Sequence, residues 1–140
     1  MRWTDNHCHL PDDLNAAAQV VASAKEAGVT RLIDVGTSVG HSIQCLSRAK
    51  EFEGVWCTAG VHPHDAKDGL EGLEDLLTAP EVVALGECGL DYYYDNSPRE
   101  VQRNIFAEQI RLAHKYQMPL VIHTRDAWED TFEILDTEGV

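Results

Sequence analysis

Along the chain, short apolar runs alternate with longer stretches whose apolar residues recur every three or four positions. The runs at Trp3–His9, Arg31–Gly36, Val55–Val61, Val82–Glu87 and Leu120–His123 predict strands. LIDV, VVAL and PLVI within them are unbroken apolar segments, the pattern of parallel strands covered on both faces. Between them the spacing predicts helices. Asn15–Ala27 carries Leu14, Ala18, Val21 and Ala22 on one side, with Gly28 at its stop. Val39–Lys50 carries Val39, Ile43, Leu46 and Ala49, and a shorter helix at about Leu70–Leu77 is ended by Pro80. Ser97-Pro98-Arg99-Glu100 offers a Ser N-cap, Pro at the first helical position and Glu at the third. The helix it opens runs to about Tyr116 and buries Ile105, Phe106, Ile110 and Ala113. A last helix starts near Asp126, with Trp128, Phe132 and Leu135 as its repeat. Five βα units in this order predict an α/β fold with parallel strands and right-handed crossovers. Alternation alone leaves an open doubly wound sheet and part of a barrel both standing. A dinucleotide-binding fold is disfavoured, because the first strand leads into His-Cys-His-Leu-Pro and not a Gly-rich turn.

With 140 residues the chain is long enough for one domain with its own core, and residues 1–140 show no linker or second domain. A complete (β/α)8 barrel needs about 250 residues, so five units would make only part of one, incomplete on the C-terminal side. The net charge is −13, from 11 Lys+Arg against 24 Asp+Glu. That argues against a nonspecific duplex-binding module, which shows a basic face. It leaves a nuclease open, since bound divalent ions supply positive charge locally. The plainer source of the charge is acidic residues on solvated helix faces. Cys8, Cys45, Cys57 and Cys88 form no C-x-x-C pair, so a zinc ribbon is unsupported. Cys8, Cys57 and Cys88 lie in strand-like contexts, where cysteine packs as a small hydrophobe. No N-terminal apolar h-region and no run near ~18 apolar residues is present. A soluble protein of the reducing cytoplasm, without a membrane partner, is expected.

The chemistry gathers at strand ends. In Asp5-Asn6-His7-Cys8-His9, the strand period of two puts Asp5, His7 and His9 on one face. Two imidazoles there can bind one metal ion, and nitrogen donors suit Zn, Ni, Co, Fe or Mn better than Ca. Taken alone, H-x-H reads equally as two hydrogen-bonded structural histidines. The other ends change that balance: Gly60-Val61-His62-Pro63-His64, Gly86-Glu87-Cys88-Gly89-Leu90-Asp91 and Val121-Ile122-His123-Thr124-Arg125-Asp126. Four of five strands thus end in His or carboxylate, on the side where parallel α/β proteins place their sites.

Glu87 ends an apolar run, and burying it unpaired would cost several kcal/mol. Its two oxygens can bridge two cations; the alternative is a salt bridge to Arg125. His123 suits a second cation. Two such cations would share a water with its pKa lowered toward ~7. Arg125 can hold a phosphate-like anion or form a surface ion pair. His62 and His64 are candidates for substrate contact, with a structural turn as the alternative. Asp5 and Asp91 can orient ligand histidines or cap backbone. Tyr92-Tyr93-Tyr94 can stack on bases or pack the loop on the rim. His41 and His114 fall on helices as ordinary boundary residues, and Cys8 and Cys88 point to the opposite strand face.

DNHCHL, GVHPH, GECGLDYY, the Gln102…Phe106…Gln109 helix and IHTRDA, in this order, closely resemble the TatD family of metal-dependent deoxyribonucleases, within the amidohydrolase-like barrels. The resemblance spans essentially the whole chain. It implies a TIM-type barrel with two divalent ions (Mg, Mn or Zn). His7 and His9 would hold the first, Glu87 would bridge as a catalytic group, and His123 would hold the second. His62 and His64 match the family's substrate-side third-strand motif, with His62 also catalytic, and Arg125 matches its fifth-strand arginine. The implied activity is phosphodiester hydrolysis in DNA, as a 3′→5′ exonuclease on single strands, by a protein monomeric at full length. A related metallohydrolase acting on an ester or amide, such as a D-aminoacyl-tRNA deacylase, and a non-catalytic fragment are the alternatives. The family pattern continues with a sixth-strand His and an eighth-strand Asp, and neither lies within these 140 residues.

Overall fold

The computed structural model describes residues 2–140. Its strands are β1 (Trp3–Cys8), β2 (Val29–Asp34), β3 (Val55–Ala59), β4 (Val82–Asp91) and β5 (Leu120–Arg125). They alternate with α1 (Leu14–Glu26), α2 (Val39–Glu51), α3 (Leu73–Leu76), α4 (Arg99–Tyr116) and α5 (Trp128–Glu138), and a 3-10 turn at Pro63–Asp68 precedes α3. All strand pairs are parallel, in the order β1-β2-β3-β4-β5. A doubly wound sheet reverses its strand order at a switch point; an unbroken sequential order is that of a barrel wall. Here the wall is part of a barrel, with β1 and β5 at its edges.

The core lies between the sheet and its helices. Leu32, Val55, Cys57, Leu85 and Leu90 from the strands pack with Phe106 and Ile110 of α4. The expectation that the apolar strands are covered on both faces is not met. β1 is exposed along most of its length, and Val83 and Ile122 remain 37% and 38% exposed. In a closed barrel, inward side chains are filled in by those of facing strands; five strands leave part of that face in water.

The predicted helix faces are met in part: Val21, Val39, Leu46, Ala49 and Leu135 lie in or against the core, as do Phe106, Ile110 and Ala113 of α4, while other positions differ. Ala17, not Ala18 or Ala22, is buried on α1. On α2, Ser42, Cys45, Arg48 and Ala49 face inward while Ile43 is exposed. On α5, Thr131 and Ile134 are buried while Trp128 and Phe132 stack on each other in solvent. Polar groups with buried partners explain α2 and α5. Arg48 Nε donates to Asp34 at 2.6 Å, Ser42 Oγ meets Gly60 O at 3.4 Å, and the Thr131 and Thr124 hydroxyls lie 2.8 Å apart. A buried donor left unpaired costs more than an apolar side chain left in water. Ser97 does not cap α4. Pro98 takes that place, and Ser97 Oγ donates to His64 O at 2.9 Å while accepting from Lys67 N at 3.1 Å. The hydroxyl therefore ties the start of α4 to the turn that carries His64.

Candidate metal centre

The end of β1 is fastened from both sides. Val35 N donates to Cys8 O at 2.9 Å, and Leu10 N donates to Asp34 Oδ1 at 3.0 Å. Between them, His9 Nδ1 lies 3.0 Å from Val35 O. A carbonyl only accepts, so Nδ1 carries the proton and Nε2 keeps a free lone pair. His7 stands beside it, ring centroids 5.3 Å apart. Asp5 Oδ1 accepts from His7 N at 3.1 Å. The bond of Asp5 is to backbone, not to an imidazole ring.

Glu87 does not end its strand. β4 runs on to Asp91, and its register with β5 skips between Gly86 and Cys88. Glu87 N instead donates to Gly36 O at 2.7 Å. Such an irregularity re-aims a side chain, and glycines make it feasible. A Cβ on Gly86 would lie 2.4 Å from Val121 O, and one on Gly89 1.9 Å from His123 O. Only glycine lets β4 and β5 approach so closely at these positive φ angles. The approach sets His123 beside Glu87.

The Glu87 side chain is 12% exposed. Its Oε1 lies 3.3 Å from His123 Nδ1 and its Oε2 lies 3.6 Å from His7 Nε2. The alternative ion pair with Arg125 is not formed. The hydrogen bond from His123 is the main reason the Glu87 carboxyl is held below its ordinary pKa, and the same bond raises His123. Asp91 is the second anchor. Its Oδ2 lies 3.0 Å from both His64 Nε2 and His123 Nε2, and its Oδ1 accepts from Tyr93 N and Tyr94 N at 3.1 and 2.9 Å. Burial alone would raise this carboxyl, but the Tyr94 amide and the two imidazoles hold it below its usual value. Asp91 thus contacts two imidazoles through one oxygen and two backbone amides through the other.

His62 stacks edgewise on His123 at 4.4 Å and on His64 at 4.4 Å. Burial, with the neighbouring His123, lowers its pKa to about 4. It is neutral at pH 7, and its Nδ1 accepts from His64 N at 3.2 Å, which leaves the proton on Nε2. Arg125 reaches no carboxylate among the described residues. Its guanidinium lies over the rings of Tyr93 and Tyr94, 4.1 and 4.8 Å from their centroids. Tyr92 behaves differently: its hydroxyl donates to Asp130 at 2.5 Å and Arg99 covers its ring. Packing describes Tyr92, whereas Tyr93 and Tyr94 are 58% and 52% exposed.

Two donor groups result, His7–His9–Glu87 and His62–Glu87–His123, each with ligand atoms within 4.8 Å of one another. The donor set fits divalent cations: His7 and His9 on one side, with a free lone pair on His9, His123 on the other, and a carboxylate with one oxygen toward each group; His62, whose Nδ1 accepts from His64 N, is not needed as a ligand. The cysteines are not part of it. Burial pushes the Cys8 thiol up to about 12 and raises Cys88, and a protonated thiol is a poor ligand. His41 is half-buried against Arg48, and His114 meets Glu138 O at 2.9 Å. The pattern of strand ends did not single out the Asp34–Arg48 pair beneath His9, or Gln102 and Gln109. Gln109 closes both polar groups of Val61 and Gln102 both of Asp91. The one available signal was a polar residue inside an apolar helix face.

The parallel wall in sequential order, with paired nitrogen–carboxylate groups at its C-terminal end, defines a barrel-type α/β protein with a candidate divalent-metal site. The family of TatD related DNases matches residues 4–140, and the chain belongs to that family. It is 41% identical over 121 residues to the 3′-5′ ssDNA/RNA exonuclease TatD of Escherichia coli (strain K12), covering 84% of this chain and 46% of that protein. It is 36% identical over 141 residues to the uncharacterized metal-dependent hydrolase YabD of Bacillus subtilis, covering 96% of this chain and 55% of that one. The crystal structure of YJJV, a TatD homolog from Escherichia coli K12, superimposes with a TM-score of 0.85 at 26% identity, over 98% of this chain and 56% of that one. The chain spans about half the length of the curated relatives it matches.

Proposed function

We propose that the chain supplies the N-terminal part of a divalent-metal-dependent phosphodiesterase that trims single-stranded DNA from its 3′ end. The observation that carries this is Glu87, a nearly buried carboxylate set between His7 on one side and His123 on the other. The exonuclease name of a 41% identical relative supports the substrate. His7, His9 and Glu87 would hold one ion, and Glu87 with His123 the other. Bound there, such ions supply Lewis acidity and a water with its pKa lowered to about 7. The protein's own groups do the rest. Asp91 orients His123 and His64. His62, neutral with its proton on Nε2, donates a hydrogen bond to a phosphate oxygen. Arg125 holds a neighbouring phosphate as a cation with no carboxylate to compete for it. Cations held by these residues would offset the local acidity of a chain of net charge −13. Four free cysteines fit a reducing cytoplasm, and no helix among the described residues is long and apolar enough to cross a membrane.

Hydrolysis of 5′-labelled single-stranded DNA in magnesium or manganese tests the proposal. Activity is expected to vanish in chelator and to fall by about a hundredfold or more in Glu87→Gln, the scale of losing a charged group at the reacting centre. Undiminished cleavage by Glu87→Gln would overturn it. Aryl esters and aminoacyl-tRNA as parallel substrates check the bond class.

A further inference from the structure

We infer that Tyr93 and Tyr94, with Arg125 laid across them, form a stacking platform for an unpaired nucleobase next to the metal centre. Both rings stand at the rim in solvent, 58% and 52% exposed, where Tyr92 just before them is packed. Large apolar rings left open beside a reaction site point to a ligand with a flat apolar face. Arg125 adds the second sign. In a chain with 24 acidic residues it pairs with none of those described, and lies instead 4.1 and 4.8 Å from the two ring centroids. The two rings meet edge to face, centroids 4.7 Å apart, so a base stacks on one of them, and a cation held against that ring can add to the stack and still face the anionic backbone.

The backbone under the platform is joined to the centre. Asp91 Oδ1 accepts from the amides of Tyr93 and Tyr94, and its Oδ2 meets His64 and His123. One carboxylate thus holds the backbone of both tyrosines and two imidazoles of the centre. The Tyr94 ring lies 5.4 Å from His64, which lies 4.4 Å from His62. A base on the platform therefore belongs to a nucleotide adjoining the phosphate under attack. Stacking on an aromatic ring tolerates any of the four bases, because each has a flat face. A base inside a duplex is already stacked and cannot use it, so the platform selects single strands and frayed ends.

This rests on the nuclease reading, and binding separates the two. Phosphorothioate-linked oligothymidylate, resistant to hydrolysis, is titrated in magnesium beside the same oligomer carrying abasic sites at its 3′ end. The unmodified protein is expected to bind the abasic form about five- to hundredfold more weakly, the scale of one or two stacked bases. Tyr93→Ala and Tyr94→Ala are expected to lose that preference and bind both oligomers alike; Tyr93→Phe keeps it. Equal affinity of the unmodified protein for both oligomers, no binding of either, or a preference that survives both alanine variants overturns the platform. Cleavage without a base preference leaves the nuclease reading standing and removes the platform; a base preference without cleavage does the reverse.

Discussion

At the scale of the residue, the demanding group is Arg48. Its side chain is 2% exposed, its Nε donates to the fully buried Asp34 at 2.6 Å, and its far end reaches Asp12 at 3.4 Å. Asp34 also receives Leu10 N, one residue past His9. A buried pair contributes little net stability against apolar substitutes, but removing one partner strands the other charge. Asp34→Asn is expected to destabilise the protein by about 3–5 kcal/mol, read from denaturant midpoints. The combined Asp34→Leu, Arg48→Met variant is expected to recover most of that loss. Equal losses in the single and the combined variant would show that the pair is not the source. Glu87 follows a different logic: its partners are the imidazoles of His7 and His123 and not a guanidinium.

At the scale of the element, α4 and α5 show how exposed charge joins helices. Arg103 pairs with Asp130 at 2.5 Å, and Arg111 meets both oxygens of Glu138. Hydrogen bonds from Tyr92 and Arg103 hold the Asp130 carboxyl below its usual range, and Arg111 does the same for Glu138. A carboxyl depressed in the folded state stabilises it fully above the unfolded value, and that contribution is lost as pH falls through the folded value. Amide exchange in α5 is therefore expected to lose protection below about pH 4, the ordinary carboxylate range, before the β4 core does. Asp130→Asn should shrink that pH dependence. An α5 whose protection tracks the core at every pH would contradict it. The buried face of α5 differs in part from the one its spacing predicts: Leu135 packs on the core, while Trp128 and Phe132 are exposed. The four-and-three spacing of Trp128, Phe132 and Leu135 gives a stripe but not its direction, and the bond between Thr131 and Thr124 turned the helix.

At the scale of the whole molecule, the open wall dominates. β1 and β5 are its edges, Trp3 is 59% exposed, and Ile122 is 38% exposed. Unpaired strand edges template association, while a charge of −13 opposes it. Salt screens the second effect and not the first. Sedimentation of the purified 140-residue chain should show association that grows with ionic strength and weakens in Ile122→Lys. Association that falls as salt rises would point to ion pairing instead.

The sequence by itself determined the order of elements and the residues offered at each strand end. Apolar runs with helical spacing between them allow little else; His62, Glu87 and His123 each follow an apolar run, and His7 and His9 stand as an H-x-H pair. It did not determine which donors share a site. That depends on Glu87 sitting at the register skip of β4, on Gly86 and Gly89 letting β5 approach, and on Asp91 holding two histidines with one oxygen. It also left Tyr93 and Tyr94 indistinguishable from Tyr92. A strand's period of two states which face a residue takes only while the ladder is regular. Where it skips, contacts from neighbouring strands decide the aim, and only the tertiary structure holds those.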